Sequence, residues 1–476
     1  MQPLNFPFDN CNMKLKIKSI HTIPLALVVM LSMVAFIDIN NLDNYANQGK
    51  PAYILKDNTM PGNPISDKGA TLGRVLFYDK QLSVNRTISC ASCHKQEYAF
   101  GDTAVKSKGL NGGSTGRHSM RLVNSRFGDE IKFFWDERAA SLEDQSSQPI
   151  QDHIEMGFSG TQGDPDLDSL IRRMNQLDYY PKLFKWVFGD ANITETRIQR
   201  ALAQFVRSIQ SFDSKYDLGR AQVLNEGQPF PNFTPQENQG KQLFLAPVGA
   251  GGAGCQGCHR APEFDIDPAS RNNGVVVNPG GGFDFTVTRS PTLRNVFNPS
   301  KILNGPLMHT GSFNSMLAVL SHYNNIPLVS GNNNLDPRLA PGGVPQNLGL
   351  TTPQVDAITA FIQTLTGNDI YTNPKWSNPF DANGNLSLIG FNTGIANAEK
   401  LEAKCYPNPA TSVVNFDLPH GNYSLIVFSA SGQKVLEKEV KTNGNLNIED
   451  FRTGVYFFEF MNEKGEVVAR KQVIKK

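Results

Sequence analysis

Apolar positions along this chain change their spacing twice, and the changes divide it. Lys14, Lys16 and Lys18 lead into an apolar run from Ile23 to Ile37. That is the shape of a secretory signal, and fifteen residues fall short of the roughly 20 that a membrane span needs. Residues 1–37 are therefore expected to be a signal peptide, with an uncleaved anchor as the alternative. After a polar lead-in over 38–65, Leu72, Val75 and Leu76 fall at helical spacing behind Asp67, the expected cap. The clearest amphipathic helix is predicted over 195–212, where Ile198, Leu202, Phe205, Val206 and Ile209 share one stripe. Thr234-Pro-Gln-Glu237 is a capping box with Pro at the first helical position. Thr352-Pro353 repeats the start signal ahead of Val355, Ile358 and Phe361. Between these helices, 245–300 and 324–350 are long and irregular. Loops of that length in a compact domain usually carry function or wrap a ligand.

Past residue 367 the apolar positions thin out in favour of Asn, Pro and Gly, and 369–403 reads as a linker. The period then drops from 3.6 to 2. Val414, Phe416 and Leu418 alternate, as do Leu425 and Val427, and Val455, Phe457 and Glu459. Ser431-Gly432 and Lys464-Gly465 supply turn signals. Residues 404–476 are expected to form a small β-sandwich apart from the helical part.

The length, 476 residues, exceeds one compact core. Basic and acidic residues balance at 45 and 44, so the chain lacks the basic excess of a nucleic-acid binder. A hydrophobic content of 39% excludes a disordered chain. Six cysteines are too few for a disulfide scaffold of this size. Their placement says more: Cys11 and Cys405 stand alone, and the other four make two pairs.

Cys90-Ala-Ser-Cys93-His94 and Cys255-Gln-Gly-Cys258-His259 both match C-x-x-C-H, the signature of c-type haem attachment. Two thiols add to the two vinyl groups of one porphyrin, and the histidine is then held under the iron. A four-cysteine zinc site uses similar pairs, but those usually lie 15–20 residues apart. Here 162 positions separate Cys93 from Cys255, and a histidine follows each pair. Redox dithiols would not need the histidines. Two such motifs behind an export signal point to two covalent haems, with His94 and His259 as axial ligands.

The flanks of these motifs resemble the bacterial di-haem cytochrome c peroxidases. The matching segments are Leu72-Gly-Arg-Val-Leu-Phe-Tyr-Asp79, Phe134-Trp135-Asp-Glu-Arg138, Ser141-Leu-Glu-Asp-Gln145 and Glu155-Met156-Gly157. Ala201-Leu-Ala-Gln-Phe-Val-Arg207, Gly240-Lys-Gln-Leu-Phe244, Ser290-Pro-Thr-Leu-Arg-Asn295 and Pro306-Leu-Met-His309-Thr-Gly311 continue the match over roughly 50–370. The resemblance implies a mainly α fold of two cytochrome c-like haem domains. They are expected at 38–215, the peroxidatic domain, and 216–368, the electron-transfer domain. It implies Glu155 as the acid–base carboxylate, Gln145 as the amide that holds peroxide, and Trp135 as an electron relay between haems. Hydrogen peroxide is the implied substrate. A small c-type cytochrome or cupredoxin is the implied donor. Members of the family are often homodimers.

Two departures from the family pattern bear on mechanism. Other members carry a distal histidine on the loop after the first haem, yet Lys95 to Arg117 contains none, and His118 aligns with an asparagine. The first haem is expected to be open without reductive activation, unless the loop brings His118 onto the iron. Classical members also ligate the second haem with a methionine fourteen residues after the histidine corresponding to His309. Tyr323 stands there, as in the related methylamine-dehydrogenase maturation enzyme, a di-haem oxidase of protein side chains. Met308, Met316 and His322 are rival ligands. The family's Ca²⁺ would take backbone carbonyls of Asn304 and Pro306, with His118 where an asparagine usually sits. Imidazole is a poor donor to that hard cation.

Tyr406-Pro-Asn-Pro-Ala-Thr411, Gly432-Gln433, Gly454-Val-Tyr-Phe457 and the terminal Lys-Gln-Val-Ile-Lys-Lys476 resemble the type A sorting domain of type IX secretion. That resemblance implies the type IX machinery as a partner. It places the protein in the periplasm, at the cell surface or outside the cell.

Overall fold

The computed structural model describes residues 42–265, 268–279, 281–382, 384–386, 403–429, 434–462 and 467–476. The expected signal peptide, Cys11, both turn signals of the tail and residues 387–402 of the expected linker lie outside the described residues. The rest forms two compact units, one helical up to 386 and one of strands from 403. No helix among the described residues is long and apolar enough to cross a membrane.

The helical unit repeats one device. Helix α1 (Asp67–Tyr78) precedes α2 (Cys90–Cys93), the single turn that carries the first cysteine pair. Next come α3 (Leu142–Ser147), α4 (Leu167–Gln176), α5 (Tyr179–Phe188), α6 (Glu195–Ser208) and α7 (Lys215–Arg220). Helix α8 (Pro235–Leu245) leads to the second pair, and α9 (Met316–Asn324) and α10 (Thr352–Gln363) follow. Helix α1 packs on α6, and α8 packs on α10. Each crossing is closed by a glycine. A Cβ at Gly73 would lie 2.0 Å from the Ala201 carbonyl oxygen, and one at Gly240 would lie 1.8 Å from that of Ala357. Both glycines open the same local pattern, Gly73-Arg-Val-Leu-Phe77 and Gly240-Lys-Gln-Leu-Phe244, whose Leu and Phe enter two separate apolar cores. Between α8 and α9 the described residues hold no helix longer than one turn.

The caps sit slightly off their expected places. Ser66, not Asp67, caps α1, its Oγ accepting from the Gly69 N–H at 3.0 Å. The Asp67 carboxylate instead accepts from the N–H groups of Tyr45 and Ala46, at 2.7 and 2.8 Å. Thr351, not Thr352, caps α10, in a capping box with Gln354. Thr234 and Glu237 make the expected box on α8. Helix α6 stops at Ser208, but its stripe stays buried through Ile209.

The expected linker needs correction over 369–386. This segment packs back onto the first core as a strap. Trp376 is buried there, and backbone carbonyls of the strap accept from Tyr45 Oη, Tyr78 Oη and Arg74 Nε at 2.5–2.7 Å. Asn, Pro and Gly make it look like a spacer, but three polar groups and one tryptophan anchor it.

In the second unit β1 (Lys404–Tyr406), β2 (Val413–Ser429), β3 (Lys434–Asn447), β4 (Gly454–Met461) and β5 (Val467–Lys475) form one antiparallel sheet. The long β2 pairs with β3 along one edge and with β1 and then β4 along the other, with a register break between Asp417 and Asn422. The strands are thus joined in one hydrogen-bonded sheet, where a two-sheet sandwich was expected. On β4 the buried face is Tyr456, Phe458 and Phe460, not the phase of Val455, Phe457 and Glu459. A one-residue change of phase swaps the faces, and the Phe457-Phe458 pair leaves the phase open to either reading.

The glycine crossings give a test. Gly240→Ala forces α8 away from the α10 backbone and should lower stability by about 1–3 kcal/mol. Chemical denaturation of the haem-loaded protein reads this directly, and Ala at the open, exposed Gly249 serves as the control.

Candidate haem sites

Each C-x-x-C-H segment borders its own cavity. The first cavity, of about 410 Å³, is lined by Cys93, His94, Trp135, Gln145 and Glu155. The second, of about 200 Å³, is lined by Cys255, Cys258, His259, Met308, Met316 and Tyr323. The cysteines are free thiols, and burial pushes Cys90 and Cys255 up to about 12 and Cys93 up to about 11. The two pairs lie in separate cavities, which does not suit a shared zinc ion. Among the described residues no cluster of three or more His, Cys, Asp or Glu could hold a metal.

The surroundings fit a c-type haem. His94 Nδ1 lies 3.1 Å from the Phe100 carbonyl, which fixes the ring and leaves Nε2 for iron. Burial lowers the pKa of both histidines, His259 to about 4, so each stands as the neutral ligand that iron requires. Two arginines that border both cavities carry the clearest sign. Nε of Arg121 and Nε and Nη2 of Arg289 are buried without a hydrogen-bond partner, and burial depresses both guanidiniums to about 10. Buried guanidinium N–H groups without acceptors are strongly disfavoured, and haem propionates would supply the acceptors. Nothing in the sequence pattern marked these two arginines, since their burial follows from tertiary packing.

The catalytic candidates converge on the first cavity. Gln145 lies on α3, whose N-cap Ser141 Oγ accepts from the Asp144 N–H at 3.1 Å. Glu155 lies on the following turn, where the Asp152 carboxylate accepts from its N–H at 2.9 Å. Burial, then the negative charge of Asp152, raises Glu155 to about 7, with Arg138 opposing. Trp135 is buried and borders both cavities. Its indole N–H donates to the His118 carbonyl at 2.7 Å, its carbonyl accepts from the Arg289 N–H at 2.8 Å, and its ring lies 6.1 Å from that of His309.

The other candidates separate. Tyr323 borders the second cavity, and burial raises its phenol well above the usual value. Met308 and Met316 share that wall. His322 does not, because its Nε2 sits 2.9 Å from the Asn273 carbonyl. His118 is tied through Nδ1 to the Ala104 carbonyl at 2.9 Å. Pro306 borders the second cavity, whereas the Asn304 amide donates to the Asn295 carbonyl and to Tyr371 Oη. Backbone carbonyls are common donors to calcium, whereas the His118 imidazole is a poor one.

Two cavities, each bordered by a Cys-x-x-Cys-His segment and both by Trp135, have room for one group apiece. Residues 67–222 match the family model of the di-haem cytochrome c peroxidases, and 404–475 match the secretion system C-terminal sorting domain. The chain is 28% identical to the methylamine utilization protein MauG of Methylophilus methylotrophus, over 64% of this chain and 84% of that protein. It is also 28% identical to the cytochrome c551 peroxidase of Nitrosomonas europaea, over 63% and 80%. A crystal structure of a MauG-like protein associated with microbial copper homeostasis superposes with a TM-score of 0.54 at 27% identity, covering 70% of this chain and 99% of that one. Residues 67–222 thus carry a di-haem cytochrome c peroxidase domain, whose relatives imply two c-type haems, and 404–475 carry a secretion sorting domain that implies export by type IX secretion.

Replacing Cys90 and Cys93 together by Ala should halve the covalently bound haem, and so should replacing Cys255 and Cys258. Pyridine haemochrome absorbance per protein is the measurement.

Proposed function

We propose that this protein reduces hydrogen peroxide to water at the haem held by Cys90, Cys93 and His94. The donor is a small c-type cytochrome or cupredoxin, and the protein works outside the cytoplasm. Each peroxide takes up two electrons and two protons. The haem, when bound, supplies the iron that binds peroxide by one oxygen and changes oxidation state. The observation that carries the reading is Glu155, a mostly buried carboxyl raised to about 7, in the same cavity as His94 and Gln145.

Glu155 as carboxylate takes the proton from the near oxygen of peroxide and gives it to the far, departing oxygen. A group with a pKa near neutrality accepts and returns a proton with little loss in either direction. The Gln145 amide orients the peroxide. Trp135, fixed at both its indole and its backbone, carries electrons between the halves. With no histidine on the loop from Lys95 to Arg117, the first haem needs no prior reduction to open.

A second reading, a maturation-type oxidase of protein side chains, is favoured by Tyr323 in the wall of the second cavity. Tyrosinate ligation would stabilise the oxidised iron relative to methionine. Tyr323→Phe should then change the spectrum of the second haem and leave the first unchanged. An unaltered spectrum would assign the ligand to Met308 or Met316.

Glu155→Gln should lower kcat for peroxide by about 10²–10⁴-fold. In the parent protein the reaction needs the ionised carboxylate, so kcat/KM should rise with pH through about 7 and fall below it. The variant should lose that limb, and a pH series of steady-state rates reads both effects.

A further inference from the structure

Glu155 sits at a mouth. An outer vestibule of about 320 Å³ is lined by Phe134, Arg138, Pro149, Asp152 and Glu155, together with two glutamines. The same five residues also line the first cavity, so the two spaces share one wall. Arg138 lies flat on Phe134, with Cζ 3.5 Å from the ring centroid, and its Nη1 is 2.9 Å from Asp136 Oδ1. Opposite stands Asp152, an exposed residue. Its Oδ1 accepts from the N–H groups of Ile154 and Glu155, at 2.8 and 2.9 Å. That carboxylate is therefore pinned to the backbone of the acid–base residue while facing water.

We propose that peroxide and protons enter through this vestibule, and that Asp152 is the positioning residue that passes solvent protons to Glu155. The proposal rests on the acid–base reading of Glu155. Each turnover consumes two protons, and the half-buried Glu155 meets the vestibule on the same wall that the exposed Asp152 lines. Asp152 takes a proton from vestibule water and gives it to the Glu155 carboxylate, returning to its ionised form. Arg138, the opposing charge, restrains the rise that Asp152 imposes on Glu155. The nearby Cys90 and Cys93 become uncharged thioethers on haem attachment, so Asp152 and Arg138 are the charges that face Glu155.

The test uses the haem-loaded protein. Asp152→Asn keeps an oxygen to accept from the two N–H groups but cannot carry the proton. It should lower kcat about tenfold, with KM for peroxide within about twofold, and Asp152→Glu should restore kcat. The infrared band of the protonated Glu155 carboxyl, identified by its loss in Glu155→Gln, gives a readout independent of turnover. Its pH midpoint should fall in Asp152→Asn, where a like charge is removed, and rise in Arg138→Gln. Normal kcat in Asp152→Asn, with or without a shifted midpoint, overturns the relay. If Glu155→Gln silences the enzyme and Asp152→Asn does not, the relay alone is wrong. Full turnover by Glu155→Gln would remove the acid–base reading and the relay with it.

Discussion

A haem tethered through two thioethers would complete the core of each half of the helical unit, and each half holds a cavity beside its cysteine pair. The Cys-x-x-Cys turn fixes where the edge of the macrocycle attaches, and the next histidine must then point into the cavity. Those two demands explain why helix crossings closed by Gly73 and Gly240 precede the motifs. Close helix packing on one side supports an open, loop-walled space on the other. They also explain the long helix-poor stretch between α8 and α9, whose residues wall the second cavity.

The seam between the cavities is where the halves act together. Trp135 comes from the first half, yet its backbone is bound by Arg289 of the second. The His118 N–H donates to the His309 carbonyl at 2.8 Å, and Arg117 pairs with Asp284 at 2.6 Å. Arg121 and Arg289 bring positive charge, with guanidinium N–H groups that lack acceptors, to the same place. Propionates from either haem would neutralise that charge, which couples loading of the haems to the closeness of the halves. An electron relay needs such rigidity, and a tryptophan fixed at both indole and backbone has it.

Much of this was legible in the chain because the chemistry demands local spacing. The haem motifs, the Thr234–Glu237 capping box and the α6 stripe are short-range patterns, and they lie where the spacing placed them. Glu155, Gln145 and Trp135 are ten residues apart in sequence and meet in one cavity, which their family resemblance implied but no local rule could show. What escaped was set by tertiary packing. Arg121 and Arg289 look like ordinary surface cations until burial is known. The 369–386 strap has the composition of a spacer, and only its anchors on Tyr45, Arg74 and Tyr78 make it part of the fold. On β4 consecutive phenylalanines hid the phase, and the long shared β2 made one sheet where two were expected.

The central claim is an open peroxidatic haem served by Glu155, and one measurement tests it most directly. Purified holo-protein, isolated fully ferric, is mixed with a reduced c-type cytochrome and hydrogen peroxide, and oxidation of the cytochrome is followed from the first turnover. Immediate steady-state oxidation, with no lag and no need for prior reduction, is the predicted result. Absence of turnover, even after partial reduction of the protein, would contradict the account.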